Sequence, residues 1–86
     1  MSHNLKIISK LSEIDFNYGA YIIDIWGVLW DGIEPYEYSI TTLKMLINSG
    51  KTIILLSNAP RRARLVSERL YNIGITGDLY HKIISS

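Results

Sequence analysis

The sequence has no cysteine, little proline or glycine, and no long hydrophobic run. Of its 86 residues, none is cysteine, two are proline and six are glycine. The lack of cysteine excludes disulfide staples, thiolate zinc sites and a cysteine nucleophile, and it is typical of a reducing compartment, so we expect a cytoplasmic protein. No apolar run approaches the roughly 20 residues that cross a bilayer, and residues 1–4 lack the layout of a signal peptide, so we expect no membrane or targeting segment.

The composition is that of a small globular domain. Hydrophobic residues make up 48% of the chain and charged residues 20%, which favours folding over disorder. A chain of this length forms at most one domain, and its core is marginal unless a partner completes it. The net charge is only +1, and the four arginines between residues 61 and 69 are diluted by Glu68. We interpret them as a solvated helix face, and predict no nucleic-acid binding.

Apolar periodicity predicts strands that alternate with helices. Residues 5–15 carry apolar side chains at near-helical spacing, which predicts a short leading helix. Compact β-branched runs at residues 20–25 and 51–56 are typical of buried strands. Three further elements follow from caps, stop signals and spacing: a helix from Ser39 to Gly50, a helix after Asn58 and Pro60 that ends at Gly74, and a short strand at Lys82–Ser85.

This order of elements predicts an α/β fold, namely a partial Rossmann-like parallel sheet of two to three strands with flanking helices. In such sheets ligands bind beyond the carboxyl ends of the strands. Polar residues stand at both predicted strand ends: Asp24 follows the first strand, and Ser57 and Asn58 follow the second. These residues are therefore the main functional clue.

Two short motifs at these strand ends resemble a known family. Residues 24–32 read Asp-Ile-Trp-Gly-Val-Leu-Trp-Asp-Gly, and residues 55–61 read Leu-Leu-Ser-Asn-Ala-Pro-Arg. At this spacing they resemble the haloacid dehalogenase-like (HAD) hydrolases, and are similar to the class IIA branch with a D-x-W-G-V first motif. The resemblance runs from about Ala20 to the last residue. It implies that residues 1–86 are a single partial domain, the N-terminal part of a HAD-like core without its cap and C-terminal segments, from a split or decayed gene.

The resemblance also implies a chemistry, which is phosphoryl transfer from a phosphorylated small molecule through an aspartyl-phosphate, assisted by Mg²⁺. Asp24 would be the nucleophile and one metal ligand, and the carbonyl of Trp26 would be a second metal ligand. Ser57 would donate its hydroxyl to the phosphate, aided by Asn58 at a helix N-terminus.

The sequence departs from the family pattern in two ways. Phosphatase members carry an aspartate general acid two residues after the nucleophile, where this chain has Trp26. Loss of general acid catalysis costs about 10²- to 10⁴-fold in rate, and Asp31 does not have the spacing of that acid. The family's lysine and its second acidic pair are also absent, which leaves the Mg²⁺ site incomplete. We therefore expect no activity from the isolated chain.

Several alternatives stay open. The strand at Ala20–Ile25 is expected to have a bare edge, which predicts self-association or a complementing second polypeptide. The chain is then a truncated hydrolase, half of a two-chain protein, a non-catalytic interaction module or a non-functional gene remnant. Trp26 and Trp30 are interpreted as packing residues, with an aromatic ligand platform as the alternative, and His81 as a surface histidine.

Overall fold

The computed structural model shows a four-stranded parallel sheet with two helices. It describes residues 5–10, 13–14, 17–31, 34–57 and 63–85, without the side chains of Ala63, Arg64 and Ser85. The predicted α/β class is confirmed. The elements in chain order are β1 (Leu5–Ile8), β2 (Ala20–Asp24), α1 (Ser39–Asn48), β3 (Thr52–Ser57), α2 (Ala63–Asn72), a 3₁₀ turn (Gly77–Leu79) and β4 (Lys82–Ser85).

The strands are ordered β1-β2-β3-β4, and all neighbours are parallel. The predicted third strand at Lys82–Ser85 is confirmed as β4. His81, which is exposed as predicted, joins the start of β4 to β3 twice. Its backbone N–H donates to the carbonyl of Ile53 at 2.8 Å, and its ring Nδ1 accepts the N–H of Ile53 at 3.0 Å. The Nδ1 atom of the ring therefore extends the ladder by one hydrogen bond.

Two predictions about the N-terminal part are wrong. Residues 5–8 form the strand β1 instead of the start of a helix, so the sheet has four strands and not two to three. The edge of β2 is also not bare, because β1 pairs along it from Leu5–Ala20 to Ile8–Ile23. The physical reason is that a ladder to β2 satisfies the backbone of these four residues, of which Ile7 and Ile8 are β-branched and favour a strand.

Glu13 fastens the connection from β1 to β2. Its carboxylate Oε1 accepts the backbone N–H groups of Ser9 at 2.8 Å and Lys10 at 3.1 Å. These two donors hold the pKa of the Glu13 carboxyl below its usual range. The Nζ of Lys6 donates to the Glu13 carbonyl at 2.7 Å and lies 5.4 Å from the ring centroid of Tyr18. The chain after β1 is thereby turned back towards β2.

The residues that the structure describes cover only one face of the sheet. On that face, Tyr21, Ile23, Ile53 and Leu55 are fully buried. Burial alternates along β2 and β3. Ile22 and Ile54, whose side chains lie on the opposite face of the sheet, are therefore only half-buried. We call this opposite face the open face, and its six aliphatic side chains are Leu5, Ile7, Ile22, Ile54, Leu56 and Ile84.

The strand order explains why one face is open. Crossovers between parallel strands are almost always right-handed, so connections that advance in one direction across a sheet all lie on the same face. From β1 to β4 the order never reverses. The core accordingly joins the buried strand side chains to both helices, α1 through Leu43 and Leu46 and α2 through Val66 and Leu70. Both helices have ten residues, and within the described ranges no helix is long and apolar enough to span a bilayer.

We expect Ser39→Ala to lower the free energy of unfolding by about 1 kcal/mol, because Ser39 is fully buried and its hydroxyl donates to the carbonyl of Leu29 at 2.8 Å. This hydrogen bond ties the start of α1 to the loop after β2. Urea unfolding followed by circular dichroism measures the change. Thr41→Ala, on the exposed side of α1, is the control and should stay within about 0.5 kcal/mol. Equal effects of the two substitutions would contradict a role for this hydrogen bond.

Candidate functional site

The carboxyl ends of β2 and β3 lie side by side at one rim of the sheet. β2 ends at Asp24 and β3 at Ser57, and the register pairs Asp24 with Leu56. The N–H of Ile25 still donates to the carbonyl of Leu56 at 3.0 Å, so the ladder continues one residue past Asp24. From the usual spacing of strands and residues, the Cα atoms of Asp24 and Ser57 are about 6 Å apart. The fold therefore brings these two residues to one rim.

The side chains of Asp24 and Ser57 differ in burial. Ser57 is 5% exposed and continues the buried series of Ile53 and Leu55, whereas Asp24 is half-buried and continues the series of the open face. Successive side chains of a strand alternate between faces, so both groups can reach one phosphate only beyond the strand ends. That convergence stays a prediction. Asn58 lies outside the described residues.

The loop after β2 is closed by backbone hydrogen bonds. The carbonyl of Ile25 accepts the N–H groups of Leu29 at 3.0 Å and Trp30 at 3.1 Å, and the N–H of Gly27 donates to the Trp30 carbonyl at 2.9 Å. Gly27 has φ +83°, a conformation that glycine adopts without steric cost. Leu29 is fully buried, so the loop is anchored in the core immediately after Asp24.

The two tryptophans of this loop have different environments. Trp30 is half-buried and packs against the core, as predicted. The same prediction is wrong for Trp26, whose side chain is 62% exposed. The two rings meet edge to face, with centroids 5.9 Å apart and planes at 77°, and the Arg69 guanidinium lies 5.4 Å from the Trp30 centroid. The position of Trp26 in the sequence gives one signal for this exposure. Trp26 follows the end of the predicted buried strand and precedes Gly27, so its side chain does not belong to that strand.

The residues present do not form a full magnesium site. Among the residues that the structure describes, no group of three or more His, Asp or Glu could hold a metal ion. The Asp24 carboxylate and the Trp26 carbonyl would be two ligands, whereas Mg²⁺ requires six in octahedral geometry. Asp31 has a structural role, because its Oδ1 accepts the N–H of Glu34 at 2.9 Å and stabilises the loop.

A separate open groove of about 370 Å³ lies against α2 and the segment that leads into β4. Burial raises the pKa of the Tyr80 hydroxyl, and a hydrogen bond with Ser67 opposes that rise. Of the predicted site residues that the structure describes, none lines this groove, so it adds nothing to the rim site. Its lining residues are Ser67, Glu68, Tyr71, Asn72, Gly77 and Tyr80.

Comparison with known proteins gives three similarities. The family model described as haloacid dehalogenase-like hydrolase matches residues 21–86. A 4-nitrophenylphosphatase of Schizosaccharomyces pombe (strain 972 / ATCC 24843) is 31% identical over 64 residues, which are 74% of this chain and 22% of that protein. A crystal structure of a haloacid dehalogenase-like family hydrolase from Brucella suis 1330 has a TM-score of 0.77 at 28% identity, and the match covers 88% of this chain and 28% of that chain.

These similarities cover the rim site but only part of each relative. The chain spans about a quarter of the length of the two proteins that it matches. The family match begins at Tyr21 in β2, so it includes both Asp24 and Ser57. The family that the two motifs predict is confirmed, and the chain belongs to the haloacid dehalogenase-like hydrolases.

Proposed function

We propose that this chain carries part of a phosphomonoester hydrolase site, with Asp24 as the nucleophile and with Ser57 and Asn58 as phosphate-binding residues. The observation that supports it best is that Asp24 and Ser57 end neighbouring parallel strands at one rim. Membership of the hydrolase family and a relative named as a 4-nitrophenylphosphatase support a phosphorylated small molecule as the ligand.

We further propose that the isolated chain does not turn over substrate. Trp26 offers no proton to a leaving group, and the absence of a general acid costs about 10²- to 10⁴-fold in rate. Asp24 and the Trp26 carbonyl are at most part of a Mg²⁺ site, so no step is assigned to the metal. The coverage of 22% and 28% of the two relatives supports residues 1–86 as the N-terminal part of a HAD-like core. The cytoplasm is the proposed location.

The charge of Asp24 makes phosphate binding depend on a cation. A carboxylate about 5 Å from a phosphate opposes its binding by about 0.8 kcal/mol per unit of phosphate charge in water. Salt reduces this repulsion but does not remove it. In the absence of a divalent cation, Asp24 should therefore weaken the binding of a phosphate dianion. With a cation between the two anions, the same carboxylate should strengthen it.

The test is the binding of inorganic phosphate to the 86-residue chain, measured by isothermal titration calorimetry with EDTA and again with millimolar Mg²⁺. In EDTA we expect Asp24→Asn to bind phosphate about three- to tenfold more tightly than the natural chain, because the repulsion is removed. In Mg²⁺ we expect the order to reverse. Ser57→Ala should weaken binding in both buffers, because a hydroxyl donor is lost.

Asp31→Asn is the matched control, since it removes an acid of the same loop whose carboxylate is used within the loop. It should leave both affinities unchanged. If Asp24→Asn behaves like Asp31→Asn in both buffers, Asp24 does not face bound phosphate and the proposed site is wrong. Hydrolysis of 4-nitrophenyl phosphate that is lost in Asp24→Asn would contradict the proposed inactivity. Failure of the chain to fold would favour a gene remnant.

A second candidate function is association with a further polypeptide, and the open face favours it. Parallel sheets in known proteins are almost always covered on both faces, and here the six aliphatic side chains of the open face lie outside the buried core of the described residues. Two of them, Leu5 and Ile7, are 49% and 63% exposed. We propose that helices of another polypeptide segment pack on the open face, in place of the edge association that the sequence predicts for Ala20–Ile25.

The dimensions of the open face argue for helices over a second copy of the chain. Four strands of about five residues present a face of roughly 19 by 16 Å, about 300 Å². A stable complex of two proteins buries about 800 Å² per partner, so two such faces stacked alone fall short. Two helices of about ten residues, each about 15 Å long and 10 Å wide, match this face. The opposite face is covered in the same way by α1 and α2.

Ile54→Lys tests the open face, because Ile54 lies on the inner strand β3 and not on an edge strand of the sheet. The isolated natural chain should bind an apolar dye and self-associate only weakly in sedimentation experiments, because two open faces stacked together bury less area than a stable complex does. Ile54→Lys should reduce the association constant about tenfold or more, since an unpaired charge is costly to bury. Ile7→Lys places the same charge on the open face at a more exposed position, and it provides the test if Ile54→Lys does not fold.

Tyr71→Lys adds the same charge at a site on α2 that is 66% exposed, and it should change nothing. Addition of the portion of the Brucella hydrolase that this chain does not cover should lower dye binding by the natural chain. If the chain still self-associates after both open-face substitutions, the association takes place at the sheet edges, and this proposal is contradicted.

A further inference from the structure

Trp26 exposes a large aromatic surface at the rim of the sheet. Its side chain is 62% exposed, although tryptophan is on average highly buried in folded proteins. It lies two residues after Asp24, past the carboxyl end of β2. Ligands of parallel α/β sheets bind at such strand ends, and aromatic side chains are common in ligand sites.

The neighbours of Trp26 hold it in place. Its backbone forms a bridge with Trp30, next to the hydrogen bond from Gly27 to the Trp30 carbonyl. The Trp30 ring contacts the Trp26 ring edge to face, and it is itself fixed by the core and by the Arg69 guanidinium at 5.4 Å. A side chain that is ordered before binding loses less conformational entropy when a ligand arrives. Trp26 is thus exposed and pre-oriented at once.

We propose that Trp26 is a stacking platform for the planar aromatic leaving group of a phosphomonoester. This inference rests on the proposed function, because the phosphate of the same molecule would lie at the rim by Asp24 and Ser57. Two residues of chain reach at most about 7 Å, and in a phenyl ester a single oxygen atom joins the phosphorus to the ring, so phosphate and ring lie close enough to occupy the space next to both residues. One small molecule can therefore contact both the rim and the indole.

The platform selects aromatic esters over aliphatic ones. A phenyl ring stacks on the indole or meets it edge to face, and such ring pairs add about two- to tenfold in affinity beyond the area that they bury. An alkyl ester of the same charge has the same phosphate contacts but no ring contact. The expected signature is a preference for phenyl phosphate over methyl phosphate that depends on Trp26.

The experiment titrates the 86-residue chain with phenyl phosphate, methyl phosphate and phenol, followed by ¹⁵N-edited NMR. The chain has two tryptophans, so the spectrum contains two indole N–H signals, which Trp26→Leu assigns. Phenyl phosphate should bind about two- to tenfold more tightly than methyl phosphate and shift the Trp26 signal. Trp26→Leu should remove the preference and leave methyl phosphate affinity unchanged. Tyr71→Leu, which removes an aromatic ring of similar exposure on α2, should preserve the preference.

The outcomes separate this inference from the proposed function. If both esters bind equally to the natural chain, the platform is wrong and the phosphate site stands. If phenol shifts the Trp26 signal as strongly as phenyl phosphate while methyl phosphate does not bind, the proposed phosphate site fails, and with it the assignment of an ester. A preference that persists in Trp26→Leu would also overturn the platform.

Discussion

The handedness of the strand connections is the constraint on which the rest of this structure depends. Because every crossover advances in the same direction, the connection after β1 and both helices accumulate on one side of the sheet. The buried core is then a single layer between helices and strands. A doubly wound fold covers its second face by reversing the strand order, and the described chain contains no reversal.

The same constraint shapes the rim site. In doubly wound sheets the ligand crevice opens where the strand order reverses, since loops then diverge to the two faces. Here α1 and α2, which follow Asp24 and Ser57 along the chain, both pack on the covered face, so the described residues wall the rim on that side. The side chain of Asp24 belongs to the series of residues on the open face, and the hydroxyl of Ser57 belongs to the series on the covered face. The described residues thus supply chemistry-bearing groups without an enclosing pocket, which fits membership of a family whose two matched members are about three times as long as this chain.

The parts of the fold that the sequence predicts are those with strong local signals. The apolar runs of β2 and β3 and the helix that begins at Ser39 are long enough for periodicity to identify them, and the parallel pairing follows from their alternation. β1 was beyond such reasoning because it has four residues, of which only Ile8 is fully buried, and its stability comes from pairing with β2. The exposure of Trp26 depends on how the loop closes around Gly27. The residue type of tryptophan alone predicts a buried side chain, so the sequence prediction for Trp26 is wrong.

Contacts between aromatic rings and a guanidinium connect parts of the chain that are distant in sequence. Arg69 lies on the solvent side of α2, yet its charge rests against Trp30, whose ring in turn supports Trp26. The orientation of the indole at the strand ends is consequently coupled to a helix that starts nearly forty residues later. A substitution of Arg69 on that outer surface, which conventional reasoning treats as neutral, would remove the guanidinium from the Trp30 ring against which the Trp26 ring lies edge to face.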